Sequence, residues 1–319
     1  MAELETAPPK RPGHAAFRVL FVPALLGLSV LSWVHHAQTE AYLRAARWGI
    51  DQSTAALLAS LALVWIAEQL YPAHPEWNYN VAADPVRGLN RLGRDLFYLT
   101  IVTLLNGLLA AFLAVRVGAW AAHLRFATSV WPTTLPFPAK VLLVFLTVEL
   151  FSYAYHRAAH RFEFLWGFHA THHAITEVTG LKALRTHPLD NALFYLPRTL
   201  PLLLLGAGAE EILAATYFGC VLGILSHANI DVAERGLGWF INFPSYHVVH
   251  HSSDLAESRS NFGCHTVVWD RLFGSFRARK GEAPIGIAPV GPRSLWQELI
   301  WPLYRSVTVV EPSPAKLEG

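Results

Sequence analysis

Four stretches of this chain, 15–34, 53–70, 96–120 and 139–155, are apolar over close to the roughly 20 residues that a helix needs to cross a bilayer's hydrocarbon core. Prolines and charges punctuate the segments between them, with Pro72, Pro75 and Pro85 after the second stretch and Pro132, Pro136 and Pro138 after the third. Only 15% of the residues are charged and 53% are hydrophobic, against about a quarter charged in ordinary soluble domains. The expected fold is therefore an all-α integral membrane protein with about four transmembrane helices. Two further apolar runs, 192–205 and 211–225, are interrupted by Pro197, Arg198 and Pro201 or opened by Glu210 and Glu211. These are expected to lie in the interface or to dip into it as a re-entrant pair.

Loop charge orients the spans. Lys10, Arg11 and Arg18 precede the first, Arg87, Arg91 and Arg94 follow the second, and Arg157, Arg161, Lys182 and Arg185 follow the fourth, which puts those segments in the cytoplasm. Arg44 and Arg47 in the opposite loop pull the other way. A net charge of +2, with no concentrated basic stripe, excludes nucleic acid as a partner. Cys220 and Cys264 are far apart and outside any Cys-x-x-Cys pattern, so they read as packing residues. Residues 1–14 read as a flexible tail without a cleavable secretory signal, and the Pro/Lys/Glu stretch after Val310 as a loose one. The expected organisation is a tail (1–14), a transmembrane region (15–138), a catalytic region (139–280) and a carboxy-terminal extension (281–319).

Ten of the 16 histidines fall in the 96 residues from His156 to His251. His156 and His160 are four apart and directly extend the fourth apolar stretch, so their rings share a face one turn apart. His169, His172 and His173 form His-Ala-Thr-His-His, and His247, His250 and His251 form His-Val-Val-His-His. Offsets of 0, 3 and 4 put three rings on one stripe. Eight imidazoles exceed what one metal can use, and imidazole suits zinc, copper, iron and nickel, so two metals are the economical reading. No thiolate or carboxylate cluster accompanies them, which argues for a non-haem iron centre over a structural zinc site. A lone histidine on an apolar helix is more often a satisfied core residue, and His14, His35, His36, His74, His123 and His265 keep that role.

These boxes resemble the fatty acid hydroxylase superfamily, which includes sterol desaturases, C4-methyl sterol oxidases and alkylglycerol monooxygenase. The resemblance covers about residues 139–277. It rests on the three boxes and on the ending Asn261-Phe262-Gly263 with Trp269-Asp270-Arg271-Leu272-Phe273-Gly274. It implies that His187, in Arg185-Thr-His-Pro188, and His227, in Ser226-His-Ala-Asn229, join the metal ligands. The competing roles are a loop cap for His187 before its proline and a helix-terminal histidine for His227. Some relatives carry a glutamate right after the first box, where this chain has Arg161 and offers no carboxylate.

The resemblance implies two iron ions held in a cytoplasmic helical cap, dioxygen as co-substrate and two external electrons, used to hydroxylate a lipid-like substrate such as a sterol or fatty acyl chain. Desaturation by the same site is the alternative. Asn229, Asn261 and Asp270 are candidates for orienting the imidazoles, as are Asp190, Asp231 and Asp254. Without a dinucleotide fingerprint, flavin site or haem domain in the sequence, electrons are expected from a separate carrier, a cytochrome b5-like protein or a ferredoxin with its reductase. Substrate is expected from the bilayer past Phe151, Trp166, Phe194 and Tyr195, and the host membrane is expected to be a bacterial inner membrane. A haem protein would leave most of the cluster unexplained. A metal transporter would place polar residues near the midplane of its spans, where Glu68, Asn106 and Arg116 are the chief ones here.

Overall fold

The computed structural model describes residues 12–45, 52–124, 130–279, 281–287 and 294–303. The expected tail at 1–14 lies outside the described residues as far as residue 11, and the one after Val310 lies wholly outside them. The long helices are α1 (His14–Val34), α2 (His36–Ala45), α3 (Gln52–Leu70), α4 (Pro85–Leu124), α5 (Phe137–Ala159), α6 (Glu163–His173), α7 (Pro188–Leu205) and α8 (Ala209–His227). Short helices follow, α9 (Pro244–His250), α10 (Leu255–Ser258), α11 (Val268–Leu272) and α12 (Leu295–Ile300). Among the described residues there is no β-strand, only isolated bridges between Ile241 and Thr266 and between Ser252 and Ile285.

Local chemistry sets the ends of these helices. Proline opens α7 and α9, where its missing N–H costs nothing and its φ is already helical. Gly206 ends α7 in the left-handed region at φ 81°, its N–H turned back to the carbonyls of Leu202 and Leu203. Ser294 and Gln297 form a reciprocal capping box on α12.

Four helices are long and apolar enough to cross a membrane: His14–Val34, Pro85–Leu113, Phe137–Ala159 and Ala209–His227. The expected second stretch forms α3, whose Thr54–Leu70 part is a shorter apolar helix. The expected set is corrected in one place. The run expected to lie in the interface, 211–225, is instead the core of α8, which qualifies as a span. Glu211 at its start is matched by Lys140 on α5 at 2.5 Å, which offsets the charge that made the segment look interfacial. Leu28, Leu31, Leu104, Leu108 and Phe112 stay exposed along α1 and α4, as side chains facing lipid do.

The spans converge at one end of the bundle. α7 runs antiparallel to α5, since Asp190 near its start meets Tyr155 at the end of α5 while Leu202 packs with Val144 and Trp131 at the other end. α8 then returns along α1 and α3 through Val22, Leu25, Val64, Tyr217, Val221 and Leu225. The ends of α5 and α8, the start of α7, and α6 and α9 thus surround one volume.

Candidate metal centre

Nine histidines fill that volume in two groups. His156, His160, His169, His173 and His250 form one, and His172, His227, His247 and His251 the other; within each group the potential ligand nitrogens lie within 4.8 Å of one another. The boxes divide in opposite senses. On α6, His169 and His173 serve the first group and His172 the second. At α9, His247 and His251 serve the second and His250 the first. Adjacent residues on a helix point about 100° apart, so each box can face two centres at once.

Backbone carbonyls set the ring tautomers. Nδ1 of His156 donates to Phe262 O at 2.7 Å and that of His250 to Ser260 O at 2.8 Å. Nδ1 of His172 donates to Arg185 O at 3.2 Å and that of His227 to Gly223 O at 3.0 Å. A carbonyl can only accept, so each of these Nδ1 atoms carries the proton and leaves Nε2 as a bare lone pair. Two lone pairs then face each other across 2.8 Å between His250 and His156, and across 3.4 Å between His227 and His172. Such pairs repel unless a cation lies among them. The Nε2 atoms of His160, His169 and His173 and Nδ1 of His251 are also buried without a hydrogen-bond partner.

Burial holds His160, His172, His173, His247 and His251 well below the ordinary value of 6.5, and lowers His250 to about 3. Neighbouring imidazoles add to the effect in all six. Neutral, converging imidazoles are what a transition metal requires of its ligands.

Among the residues expected to orient the rings, Asp190 does so directly. Its Oδ2 accepts His169 Nδ1–H at 2.9 Å, and its other bonds come from Tyr155 Oη and Thr186 Oγ1. Asp270 acts at one remove, accepting the N–H groups of Phe262 and Gly263 and so fixing the loop whose carbonyl holds His156. Asn261, left-handed at φ 51°, ties that loop to Tyr246 and Arg277. The others stand away from the nine histidines of the two groups. Asn229 binds His74 and Asn78, Asp231 pairs with His14 and Arg18, and Asp254 caps α10.

His187 lies outside both groups. Its Nδ1 accepts Leu189 N–H as the cap of α7 and its Nε2 donates to Leu299 O, so both nitrogens are occupied. The proline at 188, which opens a helix, is the local reason. Of the aromatics expected along the substrate route, Trp166 stands 5.2 Å from the His160 ring and Phe194 6.3 Å from His156, while Tyr195 lies under Arg198.

Three contributors carried no signal in the sequence. Asn242 directs its amide at His247 Nδ1 (3.2 Å) and Gly263 O (2.7 Å). Glu149, fully buried on α5, accepts from His265 Nδ1 at 2.5 Å and from the N–H groups of His265 and Thr266, clamping the 261–270 loop. Downstream, Gly286 donates to His251 O and Ile287 to His173 O, a strap across the second and third boxes.

Residues 141–275 match the family model described as fatty acid hydroxylase. The chain is 29% identical to ornithine lipid hydroxylase OlsE of Rhizobium tropici over 251 residues, 78% of this chain and 74% of that protein. It is 28% identical to alkylglycerol monooxygenase of Xenopus tropicalis over 149 residues, 46% of this chain and 32% of that one. It is 29% identical to a Delta(7)-sterol-C5(6)-desaturase of Nicotiana tabacum over 151 residues, 46% of this chain and 52% of that one. The chain thus spans less than two thirds of the latter two. No solved structure matches.

Proposed function

We propose, from the match of residues 141–275 to the fatty acid hydroxylase family model, that the protein is a membrane-bound di-iron oxidoreductase that hydroxylates a lipid-like substrate. The observation that carries this reading is the convergence of nine buried imidazoles in two groups, with lone pairs facing one another at 2.8 Å and 3.4 Å. Histidine-only donor sets of this kind suit iron, copper or zinc, and the family points to iron. His156, His160, His169, His173 and His250 would hold one ion, and His172, His227, His247 and His251 the other. Bound there and supplied with dioxygen and two electrons, a pair of irons would provide the oxidising power to break an unactivated C–H bond.

The chain's own groups aim and protect that chemistry. Asp190 and the carbonyls of Phe262, Ser260, Arg185 and Gly223 hold the rings in one tautomer and one orientation. Trp166 and Phe262, beside His160 at 5.2 and 5.3 Å, wall the centre against water. Phe194, edge-on to Tyr155 and His156, lines the side from which a bilayer lipid enters. Hydroxylation is preferred to desaturation because the relative matched over about three quarters of both chains is a lipid hydroxylase.

Arg87, Arg91, Arg94, Arg157, Arg161, Lys182 and Arg185 all belong to the histidine end of the bundle, which supports a cytoplasmic centre in a bacterial inner membrane. Electrons come from a separate carrier, cytochrome b5-like or a ferredoxin with its reductase. Metal analysis of the purified chain from iron-supplemented cells, beside a His172→Ala, His250→Ala double variant, tests the reading. About two irons per chain, lost in the variant, with an oxygen-dependent change in membrane lipids, is the expected result. Folded protein without stoichiometric metal overturns it.

A further inference from the structure

The first turns of α4 carry three arginines that the histidine centre does not use. Arg87, Arg91 and Arg94 line a cavity of about 400 Å³ together with Val86, Asn90 and Arg185. Asp84 lines it too, its Oδ1 accepting the backbone N–H of Arg87. Carboxylates hold the deeper guanidinium groups in place. Arg94 reaches Glu298 at 3.2 Å, Arg91 reaches Glu177 at 3.4 Å, and Arg185 reaches Glu298 at 2.5 Å and Asp95 at 3.2 Å. Counting buried Lys182 beside Asp95, five cations meet four carboxylates, Asp84, Asp95, Glu177 and Glu298. The side chain of Arg185 is only 8% exposed, yet its Nε has no hydrogen-bond partner, and neither has Nε of Arg91.

The cavity sits where a candidate span begins, at Pro85. Val86 and Leu89 beside it are 73% and 56% exposed. Apolar side chains interleaved with arginines mark a segment seated at the headgroup layer, where basic pockets between spans receive anionic lipid heads. The guanidinium fork matches the oxygens of a phosphate two at a time. We propose that this cavity holds the phosphate of an anionic membrane lipid. Arg185 joins it to the metal centre, since its side chain lines the cavity while its carbonyl accepts His172 Nδ1–H.

The test uses the full chain, purified with its metal in detergent and titrated calorimetrically with short-chain phosphatidylglycerol and, separately, with inorganic phosphate. Arg87→Gln, at an exposed position, and the Arg87→Gln, Arg91→Gln double variant run in parallel. Saturable binding of the lipid, weakened about tenfold by Arg87→Gln and further by the double variant, is expected, with inorganic phosphate binding more weakly. Absence of saturable lipid binding to folded protein, or equal binding by both variants, overturns the site. Inorganic phosphate binding as tightly as the lipid overturns the lipid as its source. Lipid affinity is read apart from metal content, so this inference and the metal reading fail independently.

Discussion

The two histidine groups are built from the same kinds of parts and differ in number and support. The five-membered group draws a pair of rings from the end of α5, whereas the four-membered group has His227 alone from α8. A carboxylate backs the first, through Asp190 on His169. Among the described residues the second is backed by neutral groups, the Arg185 and Gly223 carbonyls and the Asn242 amide. A carboxylate behind an imidazole raises its basicity and steadies its ring. The comparison teaches that the five-membered group offers a metal more donors, one of them backed by a carboxylate, and the four-membered group fewer and less firmly backed ones.

Removing a ligand tests that contrast most severely. His173→Ala and His247→Ala, one from each group, are each expected to cost about one of two metal equivalents and to abolish lipid oxidation. Loss of both equivalents from either variant would mean that the groups do not load separately. Asp190→Asn comes next. It should lower metal affinity by roughly 10–100-fold in the five-membered group, while Asn242→Ala weakens the other group less, as competition with a chelator reads out.

Acid should not separate the groups at all. The imidazoles of His173 and His250 in one group and of His172 and His247 in the other are held neutral below the ordinary 6.5 in the fold, so below that value the unfolded chain takes up more protons and stability falls as pH falls. The thermal midpoint of metal-free protein should therefore drop steadily from pH 8 through 6.5 to 5; a flat profile contradicts neutral burial. The smallest effect belongs to Gly223→Ala on α8. Its new Cβ would lie 3.3 Å from the His265 ring, which Glu149 prevents from yielding. A cost of about 1 kcal/mol, without change in metal content, is expected from thermal unfolding.

Much of this was legible in the chain. The spacing of the boxes announced eight of the nine converging histidines, and the apolar stretches announced three of the four candidate spans. What escaped depended on partners distant in sequence. α8 looked interfacial because Glu211 opens it, and the lysine that answers it is on another helix. The division of each box between two groups follows from how α6 and α9 are docked, which periodicity along one helix does not contain. His187 carried its own warning in the following proline, which favours a helix cap over a ligand. Asn242 and Glu149 are single polar residues in apolar surroundings, and nothing nearby marks them.

The strap at 281–287 gives the centre a place in time. Gly286 and Ile287 fasten onto His251 and His173, and α12 beyond them supplies Glu298, which grips Arg185 behind His172. These residues follow every histidine of the two groups and all four candidate spans in the chain, so they are made after them. The cage is therefore unfinished throughout most of synthesis, and its final closure waits on the delivery of its tail. An ion would find the two groups open before the strap is drawn across and covered once it is fastened.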